Sequence, residues 1–90
     1  GGSYIQGASV YKSVLGHRSN VAAGTVISES ILLGDVKIGA GCSIRNTIID
    51  KHVEIAPGTI IGEDPELDAQ KFSVSPEGIV VIAKGLKVGF

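Results

Sequence analysis

The chain has 90 residues, a formal net charge of −1 and only 4% aromatic residues, which makes one small domain at most and argues against bulk-charge attraction to nucleic acid or an anionic membrane. Its single cysteine, Cys42, excludes an internal disulfide framework and fits a reducing, cytoplasmic compartment. No apolar run approaches the ~18 residues of a membrane span, and no signal-peptide pattern is present.

The first predicted element, within Gly1 to Ser13, is a weak copy of a unit that recurs every seventeen residues. Tyr4-Ile-Gln-Gly-Ala-Ser-Val10 is followed by Val21-Ala-Ala-Gly-Thr-Val-Ile27, Ile38-Gly-Ala-Gly-Cys-Ser-Ile44 and Ile55-Ala-Pro-Gly-Thr-Ile-Ile61. Gly7, Gly24, Gly41 and Gly58 hold one column, followed by Ala8, Thr25, Cys42 and Thr59. The glycines fit turns that need a positive φ or close backbone approach. Aliphatic positions at Val21, Ile27, Ile38, Ile44, Ile55 and Ile61 step by 6 and 11 residues in alternation. A step of 6 is one side of a β-helix coil, and a step of 11 is two sides, one of them a residue short. The repeat therefore predicts a three-sided prism of about four coils, spaced about 4.8 Å apart. Tyr4 shares the Val21 column by this spacing and is large for the interior. The chain opens in the middle of a repeat, as a piece of a longer polypeptide would.

Ser13 to Asn20, Ser30 to Lys37 and Thr47 to Glu54 form the third sides. Counting four residues on from Val10, Ile27 and Ile44 turns Val14, Ile31 and Ile48 inward. Alternation then sends Leu15, Leu32 and Ile49 outward or to a corner. Leu15, Leu32 and Ile49 would make an aliphatic surface stripe, either tucked into a tight corner or serving as a docking surface.

Asp64 is a good helix N-cap and Pro65 a good first helical residue, with Glu66 and Asp68 in the first turn, so a short helix is predicted over 65–71. Leu67 and Phe72 are expected to lie over the last coil. Ser75-Pro-Glu-Gly78 reads as a turn and Ile79-Val-Val-Ile82 as a β-branched strand. The organisation is thus β-helix repeats over 1–64 and a capping helix, strand and tail over 65–90.

Few residues carry chemistry. His17 and His52 lie in corner segments but in different columns, and no long loop is present to shape an acyl-acceptor site. Two scattered histidines and an inward Cys42 are too few for a metal site. Glu63, Asp64, Glu66 and Asp68 lack the alternating spacing and glycine of a calcium loop. Gly39-Ala-Gly41 lacks the lysine and helix of a phosphate loop. The basic residues Arg45, Lys51, Lys71, Lys84 and Lys87 come partly from the last coil and the tail. A cluster of them could hold a phosphorylated metabolite through charge-assisted bonds.

Ile61-Gly-Glu-Asp-Pro-Glu-Leu-Asp-Ala-Gln-Lys-Phe72, followed by Ser75-Pro-Glu-Gly-Ile-Val-Val-Ile82, resembles the C-terminal end of bacterial glucose-1-phosphate adenylyltransferases (ADP-glucose pyrophosphorylases). Gly1-Gly2 with Gly7-Ala-Ser-Val10, Ser13-Val-Leu15 and Ile48-Ile-Asp-Lys-His-Val53 are also similar to that family. The resemblance implies an all-β, left-handed parallel β-helix, a handedness the usual crossover rule does not predict. It implies a regulatory and oligomerisation domain of an enzyme that makes ADP-glucose from ATP and glucose 1-phosphate for glycogen synthesis. The catalytic residues, with magnesium and ATP, would lie in an N-terminal domain that these 90 residues lack, and this domain itself would carry no cofactor. The implied partners are that catalytic domain, other subunits of a homotetramer and a phosphorylated effector. The matched effector-binding positions are Lys51 and Lys84, where some relatives carry arginine, whose bidentate fork lysine lacks. Rival readings are a hexapeptide-repeat acyltransferase and a purely structural, trimerising β-prism.

Overall fold

Each seventeen-residue repeat folds into three short strands joined by tight corners. The protein is described here by a computed structural model covering residues 4–90. Gly1 and Gly2, part of the family resemblance, lie outside the described residues. The first coil is β1 (Tyr4–Ile5), β2 (Ser9–Tyr11) and β3 (Val14–Leu15). The second is β4 (Asn20–Val21), β5 (Val26–Ser28) and β6 (Ile31–Leu32), and the third is β7 (Lys37–Ile38), β8 (Ser43–Arg45) and β9 (Thr47–Ile49). The fourth begins with β10 (Glu54–Ile55) and β11 (Ile60–Ile61). The chain then leaves through α1 (Pro65–Lys71) and β12 (Ser73–Val74) before β13 (Val80–Ile82) closes that coil and β14 (Lys87–Val88) opens another side.

Stacking of the coils makes three sheets. The first has the order β1-β4-β7-β10-β14, the second β11-β8-β5-β2, and the third β12-β13-β9-β6-β3. Every pairing is parallel except β12 with β13. A parallel β-helix of about four coils is the architecture the repeat predicts. The strand at 80–82 and the segment at 87–88 extend its sheets, pairing with β9 and β10.

The glycine column does what the spacing requires: Gly7, Gly24, Gly41 and Gly58 have φ between 70° and 78°. The other corners reach the same left-handed region without glycine, at Lys12, Glu29 and Asn46 and at Arg18, Asp35 and His52. That conformation is steric work for a residue with a Cβ, so the hydrogen-bonded coils above and below must hold it.

The third sheet corrects one expectation. Leu32 and Ile49 are buried in the core and Leu15 packs against it, whereas Val14 and Ile31 are exposed and Ile48 is half-buried. The residue that opens each strand decides this. Ser13 Oγ donates to Tyr11 O and accepts from Ser30 N; Ser30 Oγ donates to Ser28 O and accepts from Thr47 N. Thr47 Oγ1 donates to Arg45 O. This ladder turns the 13/30/47 hydroxyls inward, and period-two alternation then puts 15/32/49 inside. The residue missing from each repeat therefore falls at the corner before this side. A second correction concerns the first coil: Ile5, not Tyr4, is in register with Val21, while Tyr4 pairs with Asn20 and is exposed. The first coil is one residue shorter between this strand and its glycine.

The helix forms over 65–71 as predicted. Asp64 Oδ1 accepts from Glu66 N at 3.1 Å and Leu67 N at 3.2 Å. Phe72 packs partly buried against the core, but Leu67 stays largely exposed. The closer tie between helix and prism is Asp68, buried, whose Oδ2 accepts from Gly62 N at 2.9 Å.

Candidate functional site

The corner between the third and first sheets carries a dense group of charged residues. Register along it follows from Ile49 pairing with Ile82, Glu54 with Lys87, and Gly85 N donating to Lys51 O at 2.9 Å. Asp35 N donates to His17 O and His52 N to Gly34 O, continuing the same columns through the earlier coils. One column therefore runs His17, Gly34, Lys51, Lys84. The next runs Arg18, Asp35, His52, Gly85. The outward positions of the first sheet add Asn20, Lys37, Glu54 and Lys87.

This stacking brings Lys51 and Lys84 together, one coil apart, which is about 4.8 Å between strands. Both are exposed. Lys87 lies three residues beyond Lys84. Arg45 and Lys71 are not part of this group: Arg45 stands at the end of β8 and Lys71 in the last turn of α1. The two histidines stay in different columns.

The carboxylates of this edge are engaged. Asp35 binds Arg18 through both oxygens, with Nε–Oδ1 at 2.6 Å and Nη2–Oδ2 at 2.9 Å. The hydrogen-bonded Arg18 guanidinium holds the Asp35 carboxyl below the usual carboxylate range, against the opposing effect of burial, and Asp35 raises Arg18 in turn. Glu54 Oε2 faces Lys87 Nζ at 3.8 Å. Asp50 Oδ1 accepts from Lys51 N at 2.7 Å, so it caps the backbone of the corner. Lys51 and Lys84 make no ion pair among the described residues. Lys51 and Lys84 occupy the same corner of successive coils, where two like charges disfavour each other. An anion with several acceptor oxygens would relieve that.

The interior offers no comparable chemistry. Cys42 is buried, its thiol directed at Ala56 O at 3.2 Å, and its backbone N–H donates to Thr25 Oγ1 at 3.0 Å. It is the small inward residue its column predicts. Among the described residues, no three His, Cys, Asp or Glu side chains are grouped to hold a metal ion, and no helix is long and apolar enough to cross a membrane.

The family described as GlmU-like, C-terminal hexapeptide, matches residues 1–82. The chain belongs to that family. Its similar proteins include glucose-1-phosphate adenylyltransferase 1 of Vibrio cholerae, 74% identical over 90 residues, 100% of this chain. The glucose-1-phosphate adenylyltransferase of Photobacterium profundum is 65% identical over 89 residues, 99% of this chain. The glucose-1-phosphate adenylyltransferase 2 of Alkalilimnicola ehrlichii is 43% identical over 82 residues, 91% of this chain and 19% of that protein. The chain spans 22% of the length of the first two relatives.

Lys51 and Lys84 stand out from the five basic residues Arg45, Lys51, Lys71, Lys84 and Lys87 only through the family resemblance, which matches those two positions. Their adjacency is not legible, because the helix and turn between the two strands break the seventeen-residue count. The Arg18–Asp35–His52 column is not legible in the sequence for a different reason. Its members share a corner, not a motif, and left-handed corners without glycine carry no clear sequence signal.

Proposed function

We propose that this chain is the regulatory and assembly region of a glucose-1-phosphate adenylyltransferase, a cytoplasmic enzyme that makes ADP-glucose from ATP and glucose 1-phosphate for glycogen synthesis. Lys51 and Lys84 bind the phosphate of a metabolite effector. The magnesium-dependent nucleotidyl transfer belongs to the remainder of the parent polypeptide, and the parent assembles as a symmetric homotetramer. The observation that carries the regulatory reading is the pairing of Lys51 with Lys84. The fold places two cations from separate parts of the chain at one corner, and neither makes an ion pair among the described residues.

A phosphate between the two ammonium groups turns their repulsion into charge-assisted hydrogen bonds. Regulation follows only if the ligand distinguishes two states of the enzyme, so the informative readout is effector-dependent rate. A hydrogen bond to a charged group contributes about 1.5–3 kcal/mol, so Lys51→Ala or Lys84→Ala should raise the half-saturating effector concentration about tenfold or more. The test is the ratio of rates with and without effector, across a titration of phosphorylated metabolites, in the full-length protein. An unchanged response of both variants to every effector that acts on the parent would remove these lysines from the site.

A further inference from the structure

The outward face of the third sheet is a continuous apolar column. Val14, Ile31, Ile48 and Val81 stand in register on β3, β6, β9 and β13. Val14 is 62% exposed, Ile31 and Val81 are 40% exposed, and Ile48 is half-buried. Leu33 and Ala83, two residues beyond Ile31 and Val81, widen the column and are exposed. No charged residue stands on these four strands. The first sheet presents Asn20, Lys37, Glu54 and Lys87 at its outward positions instead. The second mixes Ser9, Ser43 and Arg45 with Val26 and Ile60.

Single exposed aliphatic side chains are ordinary on a soluble surface. A column across four strands is not: it runs about 14 Å, three strand spacings, and leaves β-branched side chains in water. At its β13 end the column meets a hollow of about 300 Å³ beside α1, whose lining includes Phe72, Val81, Ala83 and Leu86.

We propose that this face seats the catalytic part of the same polypeptide. An apolar surface of the parent chain, outside these 90 residues, packs along Val14, Ile31, Ile48 and Val81 and into the hollow beside α1. This rests on the reading above that the chain is one region of a larger adenylyltransferase. Two observations favour that occupant. The chain spans 22% of the length of its relatives, so a parent of that size supplies a large neighbour. Ile48 and Val81 each stand three residues before a corner lysine, Lys51 and Lys84, so a body seated here lies beside the corner assigned to the effector.

A second copy of this chain fits the face less well. A two-fold axis lying in the face along the strands sets the Lys51 and Lys84 corner of one copy against the same corner of the other, cation to cation. An axis along the prism sets that corner against the one of Lys12, Glu29 and Asn46, whose one carboxylate, Glu29, belongs to the coil before that of Lys51.

The test uses the full-length protein carrying Val14→Cys, Ile31→Cys or Val81→Cys. Val26→Cys is the control, because Val26 is 42% exposed on a strand of the second sheet. Each variant is reacted with a maleimide, and the introduced thiol is followed by peptide mass spectrometry and normalised to its rate in denaturant. Thiols on the seated face should react at least about tenfold more slowly than the control, since reaction requires access. A photoreactive maleimide on Ile31→Cys, in protein assembled from light and heavy-isotope subunits, should cross-link to peptides outside these 90 residues within one isotopic chain. Thiols as reactive as the control, cross-links between the 90-residue regions of two copies, or cross-links joining light and heavy chains each overturn the inference. If the parent still makes ADP-glucose under effector control, those results leave the reading of the chain intact. A full-length parent that makes no ADP-glucose overturns that reading and this inference with it.

Discussion

Leu32 and Ile31 are neighbours on β6, and truncating each to alanine should have very different consequences. Leu32 is 1% exposed and Ile31 40% exposed. Either change removes the equivalent of three carbon groups, a transfer term of about 2.4 kcal/mol when fully buried, at about 0.8 kcal/mol per group. For Leu32 the cavity adds to this. The strand is held on both sides, with Leu15 and Ile49 as its in-register neighbours, Gly16 N donating to Leu32 O at 2.7 Å and Leu33 N to Ile49 O at 2.9 Å. The wall cannot collapse into the gap, so the total should lie at about 3–5 kcal/mol, within the range for buried leucines. For Ile31, solvent already reaches the face, no closed cavity forms, and only the covered part of the transfer term is lost, about 1.5 kcal/mol at most. Denaturant titration of the 90-residue chain, followed by far-UV circular dichroism, reads the difference from the midpoints, provided the slopes agree. Equal costs, or a larger cost for Ile31→Ala, would mean that the hydroxyl ladder does not set the facing of this sheet.

Gly41→Ala should lower stability by about 1–2 kcal/mol for purely conformational reasons, since φ is 70° and an added Cβ meets nothing within 4 Å. Gly41→Asn should cost less, which thermal melts of the two variants will show. Asp68→Ala should cost about 1–3 kcal/mol by leaving the Gly62 N–H without its partner, measured by the same denaturant titration. The Asp35 carboxyl lies below its ordinary value when folded, so its contribution is present above the unfolded value of about 3.9 and is lost as pH falls through the folded one. Stability–pH curves of the parent and Asp35→Asn should therefore diverge above about pH 4 and converge in stronger acid.

Much of the prism could be read from sequence because glycine and isoleucine columns report directly on corners and interior. The helix bounds were equally plain, since Asp64 and Pro65 fix its start by local chemistry alone. The facing of the third side was not legible. A residue is missing from each repeat, and aliphatic pairs such as Ile31-Leu32 fit either phase. Only the inward turn of Ser13, Ser30 and Thr47 breaks the tie, and a serine hydroxyl can bond equally well on a surface. Tyr4 misled for the same reason, a one-residue deletion in the first coil that the repeat count cannot detect. At the candidate site, Lys51 and Lys84 are singled out by the family resemblance, but their adjacency depends on β13 rejoining the third sheet after α1.

The site is most directly tested by a double-mutant cycle of Lys51→Ala and Lys84→Ala, read as the half-saturating concentration of an effector in the full-length enzyme. If one phosphate bridges the stacked pair, the double variant should be no more than about threefold weaker than the worse single variant, well short of the product of the two effects. Fully multiplicative losses would place the lysines on separate ligands, and the shared-phosphate account of this corner would be wrong.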